Sequence, residues 1–329
     1  MIKKRDIFEH RENIKPYEYP EVMQIVDALD DSFWTVRKFS FGQDVMDYNY
    51  NLSHAEKEFA KRGMLAISQI ENTVKTMFGR LDMRLNKPEI SFAASKASAN
   101  ETTHSLAYSQ CLEELNLNHE FDKLLEVPAI RGRVLYLKKY LGGLTSRSNK
   151  EFAKSLILFT LLIENISLYA SFYVMTAIKK NTNKMKTIGK IVQATMREER
   201  VHSLFGAMLI KIIKEENPEW FDDEMEQKIR RNVRKAIEAE RKVIDWMFEE
   251  GETDYLKKEY VLEYLKYRAN DSLNLIGYEP EYELDKSLLK HSKYLDTMSK
   301  SQVEIDFFDN RSTDYNKNID FERDDLFDF

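Results

Sequence analysis

The segments ETTHSLAYS, residues 101–109, and MREERVHSLFG, residues 196–206, each contain a glutamate followed three positions later by a histidine. Both segments lie in stretches with helical periodicity, where residues i and i+3 share one face, one turn apart. The pairs Glu101 with His104 and Glu199 with His202 can therefore each direct a carboxylate and an imidazole towards one point. The repeated pattern predicts that two helices present the same type of ligand pair.

Two isolated glutamates, Glu71 and Glu164, extend this set from two other stretches with helical periodicity. Four helices would then supply four carboxylates and two imidazoles, the ligand set of a di-iron or di-manganese bundle. Four buried carboxylates carry a charge of about −4, which is prohibitive without compensation, and two divalent cations would neutralise it. The sequence therefore predicts an all-α, ferritin-like helical bundle with a dinuclear metal site in its core.

The types of side chain also restrict the metal. Carboxylates and imidazoles suit manganese and iron, whereas the lack of thiolates argues against an iron–sulfur cluster or a structural zinc site. The expected cofactor is thus two divalent ions, manganese and/or iron. The single cysteine, Cys111, excludes an intramolecular disulfide and fits a reducing cytosol.

Composition argues against several other classes of protein. The net charge of −6 is mild, and a nucleic-acid-binding protein would show a basic face. The N-terminal residues MIKKRDIFEH are not followed by an apolar core, so they do not resemble a signal peptide, and a cytoplasmic location is expected. Of the 24 residues from Ser155 to Ile178, only Glu164 is charged, so this stretch could cross a bilayer by length alone. We instead expect a helix buried in a bundle, because the other helices are strongly amphipathic and no second span exists.

Helix boundaries are legible in the sequence. The capping-box pattern Ser53-x-x-Glu56 precedes a periodic stretch that runs to about Gly79. Pro88 suits the first turn of the next helix. No proline occurs between Pro128 and Pro218, so two long, unbroken helices are expected there.

The chain is expected to divide into a helical domain, residues 1–298, and a flexible C-terminal tail, residues 299–329. The tail is acidic and shows no helical stripe. It nevertheless keeps aromatic residues, which is typical of a peptide that docks in a partner's groove; the alternative is a disordered end with chance aromatics. These aromatic residues are Phe307, Phe308, Tyr315, Phe321, Phe327 and Phe329.

The motifs resemble those of one known family. ETTHSLAYS is similar to the Glu-x-x-His-x-x-x-Tyr segment of class I ribonucleotide reductase small subunits. The segments QIENTVKTMFG (69–79), LLIENISLYASF (161–172) and MREERVHSLFG resemble the other three ligand helices. DSFW at 31–34 matches the N-terminal tryptophan of the family, and the acidic aromatic tail matches its C-terminal peptide. The resemblance covers essentially the whole chain.

This resemblance implies a role for each site residue. Glu71 and His104 would bind one metal, and Glu164 and His202 the other. Glu101 and Glu199 would bridge the two. Tyr108 stands at the position of the radical tyrosine, although its spacing alone favours a core tyrosine with a satisfied hydroxyl. Trp34, Glu198 and Tyr315 stand on the family's route for electrons and protons towards the large subunit.

Three residues depart from the usual pattern. Glu71 stands where the di-iron, tyrosyl-radical members usually carry aspartate. Glutamate there is shared with members that use manganese, alone or with iron, and some of these leave the tyrosine a spectator. Glu198 is longer than the usual aspartate. Thr195 replaces an apolar residue of the radical pocket.

The resemblance implies the small subunit of ribonucleoside-diphosphate reductase. Its dinuclear metal site would activate an oxidant and store a one-electron oxidising equivalent. That equivalent would pass to a large subunit, which holds the nucleotide site and the active cysteine, to start the reduction of ribonucleotides. The resemblance also implies a homodimer, and it allows an activating flavoprotein as a further partner.

Two alternatives remain open from the sequence. The first is a ferritin-like oxidase that acts without a partner subunit. The second is a non-catalytic protein, for metal storage or helical interaction, whose Glu/His pairs are incidental.

Overall fold

The computed structural model describes residues 5–299, which form a bundle of α-helices and contain no β-strand within that range. This confirms the predicted all-α class. The helices are α1 (Met23–Asp31), α2 (Gly42–Met46), α3 (His54–Phe78), α4 (Pro88–Glu114), α5 (Phe121–Leu124), α6 (Pro128–Leu141), α7 (Asn149–Phe159), α8 (Tyr169–Thr182), α9 (Lys186–Glu216), α10 (Asp223–Met247), α11 (Lys258–Leu275), α12 (Lys286–Leu289) and α13 (Lys293–Ser299). Tyr315 and all of the predicted tail after Ser299 lie outside the described residues.

The predicted starts of α3 and α4 are confirmed. Ser53 Oγ accepts a hydrogen bond from the Glu56 backbone N–H at 3.3 Å, and Glu56 Oε2 accepts one from the Ser53 N–H at 2.7 Å. This reciprocal capping box satisfies two donors that the first turn of α3 leaves free. Pro88 occupies the first position of α4, where its fixed φ suits the helix and its missing N–H costs nothing.

The apolar stretch from Asn149 to Thr182 is one continuous helical run, long and apolar enough to cross a membrane by length and composition. Its most apolar window lies entirely inside the protein, which confirms the predicted burial. The run is not regular, however. Between α7 and α8 it widens into a π-helical segment, Thr160–Ser167, which carries Glu164. Such widening is common at functional sites because it redirects a side chain within a helix.

Close packing brings this π-helical segment against α9. Gly206 of α9 lies directly opposite Thr160, and a Cβ at position 206 would overlap the Thr160 side chain. The glycine therefore allows α9 to approach the segment that carries Glu164. Helix α3 packs on α4 and α8, and α9 also packs on α8. Four helical segments thus surround one buried region.

Candidate metal centre

Six predicted side chains meet in the centre of the bundle, and each is at most 1% exposed. We refer to them as the carboxylate–imidazole cluster. The members are Glu71 from α3, Glu101 and His104 from α4, Glu164 from the π-helical segment, and Glu199 and His202 from α9.

The cluster contains two adjacent groups of potential ligand atoms. One group takes an atom each from Glu71, Glu101, His104 and Glu199, and all four atoms lie within 4.8 Å of one another. The other group takes atoms from Glu101, Glu164, Glu199 and His202 within the same limit. Glu101 and Glu199 belong to both groups. The geometry therefore suits two neighbouring cations that share two carboxylates.

Both imidazoles present Nδ1 to the carboxylates. His104 Nδ1 lies 3.0 Å from Glu199 Oε1 and 3.7 Å from Glu71 Oε2. His202 Nδ1 lies 2.8 Å from Glu101 Oε1 and 3.7 Å from Glu164 Oε2.

Most acceptor atoms of the cluster have no donor among the described residues. Both carboxylate oxygens of Glu71, Glu101 and Glu164, together with Glu199 Oε1, accept no hydrogen bond of suitable angle, although the histidine Nδ1 atoms lie close to Glu101 Oε1 and Glu199 Oε1. Buried carboxylate oxygens without donors are costly and need a compensating group. With their charge and the absence of a thiolate in the cluster, the residues fit a dinuclear metal site.

The electrostatics of the cluster point the same way. Burial raises the pKa of Glu71 and of Glu164 well above the usual range for glutamate. Burial alone would lower the pKa of His104 and His202, but the surrounding carboxylates raise both well above the ordinary value. Without cations, protons would have to neutralise the cluster. Metal ions must displace these protons when they bind.

Glu198 connects Trp34 to the cluster. Trp34 Nε1 donates a hydrogen bond to Glu198 Oε2 at 2.8 Å, and His104 Nε2 lies 2.7 Å from the same oxygen. The Trp34 and His104 rings are nearly parallel, 22° apart, with centroids 6.1 Å from each other. His104 turns Nδ1 towards the carboxylates of the cluster and Nε2 towards Glu198. Its imidazole therefore connects Glu198 with those carboxylates.

Tyr108 lies one turn beyond His104 in α4 and is fully buried. Its hydroxyl forms no hydrogen bond with the described residues. Burial, and then the negative charge of Glu71, raise the pKa of the phenol well above its ordinary value, while the Thr195 hydroxyl lies near enough to lower it.

Sequence reasoning missed a polar network that holds the π-helical segment. Arg268 of α11 donates from Nε to the Asn165 carbonyl at 3.2 Å, and its guanidinium lies 3.9 Å above the Tyr169 ring. Asp271 Oδ2 lies 3.4 Å from Arg268 and 2.8 Å from Arg200, which is next to Glu199. The presence of Arg200 beside Glu199 can be read from the sequence. Its link through Asp271 to Arg268, 68 positions later, cannot be read from the sequence.

The sequence and the fold have counterparts among known proteins. The family model described as "Ribonucleotide reductase, small chain" matches residues 11–287. A probable ribonucleoside-diphosphate reductase small subunit of Invertebrate iridescent virus 3 is 24% identical, over 93% of this chain and 85% of its own length. The ribonucleoside-diphosphate reductase subunit beta of Treponema pallidum is 22% identical, over 91% of this chain and 86% of its own length.

Solved structures share the same fold. The ribonucleotide reductase R2 subunit from Clostridium botulinum aligns with a TM-score of 0.78 and 20% identity, covering 86% of this chain and 89% of that one. The dimanganese(II)-NrdF of Streptococcus sanguinis aligns with a TM-score of 0.72 and 16% identity, covering 86% of this chain and 99% of that one. The ferritin-like helical bundle is therefore common to all three chains.

Proposed function

Because the chain belongs to the ribonucleotide reductase small-chain family, it is the radical-generating subunit of a ribonucleoside-diphosphate reductase, and we propose how its residues divide that work. Subunits of this family work with a large subunit and are typically dimeric. They hold a dinuclear metal site that reacts with an oxidant and stores a one-electron oxidising equivalent. The partnerless oxidase and the non-catalytic protein are not favoured.

We propose that the carboxylate–imidazole cluster supplies all six protein ligands. Glu71 and His104 bind one ion, Glu164 and His202 bind the other, and Glu101 and Glu199 bridge them. The observation that carries this proposal is that Glu101 and Glu199 alone belong to both groups of ligand atoms. Bound metal ions supply the redox chemistry with the oxidant.

Glu198 is proposed to handle a proton on the transfer route. Its Oε2 already accepts the hydrogen bond from the Trp34 indole N–H. When Trp34 loses an electron, this carboxylate can take up the indole proton without moving. The His104 imidazole on the other side of the same oxygen keeps the carboxylate in position. Trp34 is 8% exposed, which suits the start of a route that leads outwards.

We propose manganese, alone or with iron, as the metal. Glu71 supports this because glutamate at the first ligand position resembles the manganese-using members of the family, and one similar structure is named as a dimanganese protein. The test is electron paramagnetic resonance with metal quantification after reconstitution with iron, manganese or both. A multiline manganese signal that survives Tyr108→Phe would place the oxidising equivalent on the metals. A sharp radical signal lost in Tyr108→Phe would assign it to the tyrosine.

We also propose that the helical domain ends at residue 298 and that residues 299–329 form a tail that contacts a partner. The acidic residues and aromatics of residues 299–329 support docking of this tail on the large subunit, with Tyr315 as a relay. Tyr315→Phe should abolish ribonucleotide reduction while metal content stays unchanged, and retained turnover would refute the role. An activating flavoprotein is a further proposed partner. The single cysteine supports a cytoplasmic location.

A further inference from the structure

A cleft of about 480 Å³ lies between α6 and α10, in a part of the molecule that the proposed function does not use. The first turn of α6, at Pro128 and Ala129, forms one wall, and the exposed face of α10 forms the other. Two hollows adjoin it. One, of about 340 Å³, shares Arg231 and Lys235 with the cleft. The other, of about 640 Å³, shares Lys242 and the first turn of α6. The cleft thus shares lining residues with both hollows, and we refer to the three together as the groove.

Four of the cations that line the groove have no ion-pair partner among the described residues, whereas others, such as Arg234 and Lys258, are paired with Glu281 and Asp245. Arg231, Lys235 and Lys242 lie on one exposed face of α10, and Lys139 reaches the adjoining hollow from the end of α6. None of the four forms an ion pair or a hydrogen bond with another residue in the range 5–299. Glu238, which also lines the cleft, is paired with Arg241 at 2.7 Å. Like charges one helical turn apart repel each other, and the protein as a whole is acidic. A bound anion would relieve this repulsion.

The inner wall of the cleft is rigid. Arg133 lines it and is fully buried, and its guanidinium lies 3.4 Å from Glu240 Oε2 and also donates to the Ala66 carbonyl of α3. Its Nε has no hydrogen-bond partner among the described residues. Because Arg133 is fully buried, it holds α6 against α10 and α3 beneath the cleft and does not itself face a ligand.

One end of the groove contains a tryptophan. Trp246, which is partly exposed, lines the 640 Å³ hollow together with Asp245 and Glu249, and Lys242 stands at its boundary with the cationic cleft. A flat aromatic group could therefore stack at this end while negative groups contact the cations further along. Guanidinium and ammonium groups are the usual partners of phosphates, and indole rings stack well on nucleobases.

We propose that this groove binds a nucleotide, with its phosphates at Arg231, Lys235 and Lys242 and its base against Trp246. The site lies on the small subunit itself and would bind in addition to whatever the large subunit binds. The cleft alone, at about 480 Å³, exceeds what inorganic phosphate would fill and falls in the range of small-molecule sites.

The test titrates magnesium–ATP, and separately tripolyphosphate, into the full-length metal-loaded protein by calorimetry and by tryptophan fluorescence. We expect ATP to bind, to bind at least tenfold more tightly than tripolyphosphate, and to quench fluorescence in a way that Trp246→Phe removes. The double variant Arg231→Glu/Lys235→Glu should weaken ATP binding at least tenfold. The matched control is Lys186→Glu/Lys190→Glu, which makes the same charge change at the same spacing on exposed residues of α9, and it should bind ATP like the wild type.

Three results would overturn the proposal. The first is no ATP binding, or an equal loss in both double variants, which would reduce the effect to overall charge. The second is tripolyphosphate binding as tightly as ATP with no change in Trp246 fluorescence. The third is that a synthetic peptide of residues 300–329 displaces bound ATP at a lower concentration than unlabelled ATP itself does. That result would identify an acidic peptide segment as the ligand of the groove.

Discussion

Glu198 is one methylene longer than the aspartate that the family usually carries at this position, yet a single oxygen of its carboxylate contacts both Trp34 and His104. The longer side chain therefore keeps the connection between indole and imidazole. Both contacts are within 2.8 Å and buried, so loss of the negative charge at this position would affect both partners.

Glu198→Gln should reduce ribonucleotide reduction by about 100-fold or more, because an amide cannot take up the indole proton. Metal content should be unchanged, since Glu198 is not among the proposed ligands. The measurement is turnover with the large subunit together with metal analysis of the same sample. Glu198→Asp is the control that keeps the charge, and it should retain more activity than the glutamine variant. Full activity in Glu198→Gln would show that the carboxylate moves no essential proton.

At the scale of a single element, the π-helical segment Thr160–Ser167 decides where Glu164 points. Widening of the helix leaves backbone carbonyls that need other donors. Ser203 Oγ lies 3.3 Å from the Glu164 carbonyl and 3.2 Å from Asn165 Oδ1, and Ser272 Oγ donates to the Leu161 carbonyl at 3.2 Å. Side chains from α9 and α11 thus stabilise the irregular segment.

Ser203→Ala should weaken metal binding on the Glu164 side of the site, because it frees the carbonyl of the ligand residue itself. Ser272→Ala is the matched control, because it removes a hydroxyl that donates to the same π-helical segment at the Leu161 carbonyl, one turn before Glu164. Each should cost about 1 kcal/mol of unfolding free energy. Metal titration followed by spectroscopy should show lower occupancy of one ion in Ser203→Ala only. Equal occupancy in both variants would contradict the idea that this hydroxyl positions Glu164.

The contact between α9 and the π-helical segment makes a second prediction at this scale. Gly206→Ala should destabilise the protein by about 1–3 kcal/mol, because the new methyl group overlaps Thr160 and would push the two elements apart. Gly142→Ala is the control, since a Cβ at position 142 meets no atom within 4 Å. Chemical denaturation of both variants measures the difference. A Gly206→Ala protein as stable as the control would show that the contact is loose.

At the scale of the whole molecule, the bundle is built around charge that needs cations. Four glutamates and two histidines from four helical segments converge, and each helix brings its ligand from a different part of the chain. Metal ions bound here would therefore cross-link these elements as well as serve as redox centres.

Removal of the metals with a chelator should lower the melting temperature of the entire bundle, because the ions bind the folded state. Ligand at 100 times its Kd contributes about 2.7 kcal/mol for each site. Differential scanning calorimetry of chelated and reloaded protein measures the loss and its recovery. Glu71→Ala/Glu164→Ala removes one proposed terminal ligand from each ion, so its melting temperature should respond much less to added metal. An unchanged response in this variant would contradict the ligand assignment.

Much of this protein could be predicted from local sequence. Capping residues and prolines set the starts of α3 and α4, because a helix terminus depends on the few residues around it. The all-α class, the burial of the run that carries Glu164 and the family were likewise predicted correctly. Spacing of three residues placed each Glu/His pair on one helical face, since helix geometry alone fixes that relation.

The tertiary structure decided what depends on distances between remote segments. Helix packing determines which carboxylates are shared between the two groups of ligand atoms. It also creates the hydrogen bond between Trp34 and Glu198, 164 positions apart, and the one between Arg268 and Asn165, 103 positions apart. The widening at Glu164 and the cationic groove between α6 and α10 are of the same kind. Local periodicity tells which face of a helix is apolar. It carries no information about the neighbour that will cover that face, because packing is settled only when all the helices compete for the same core.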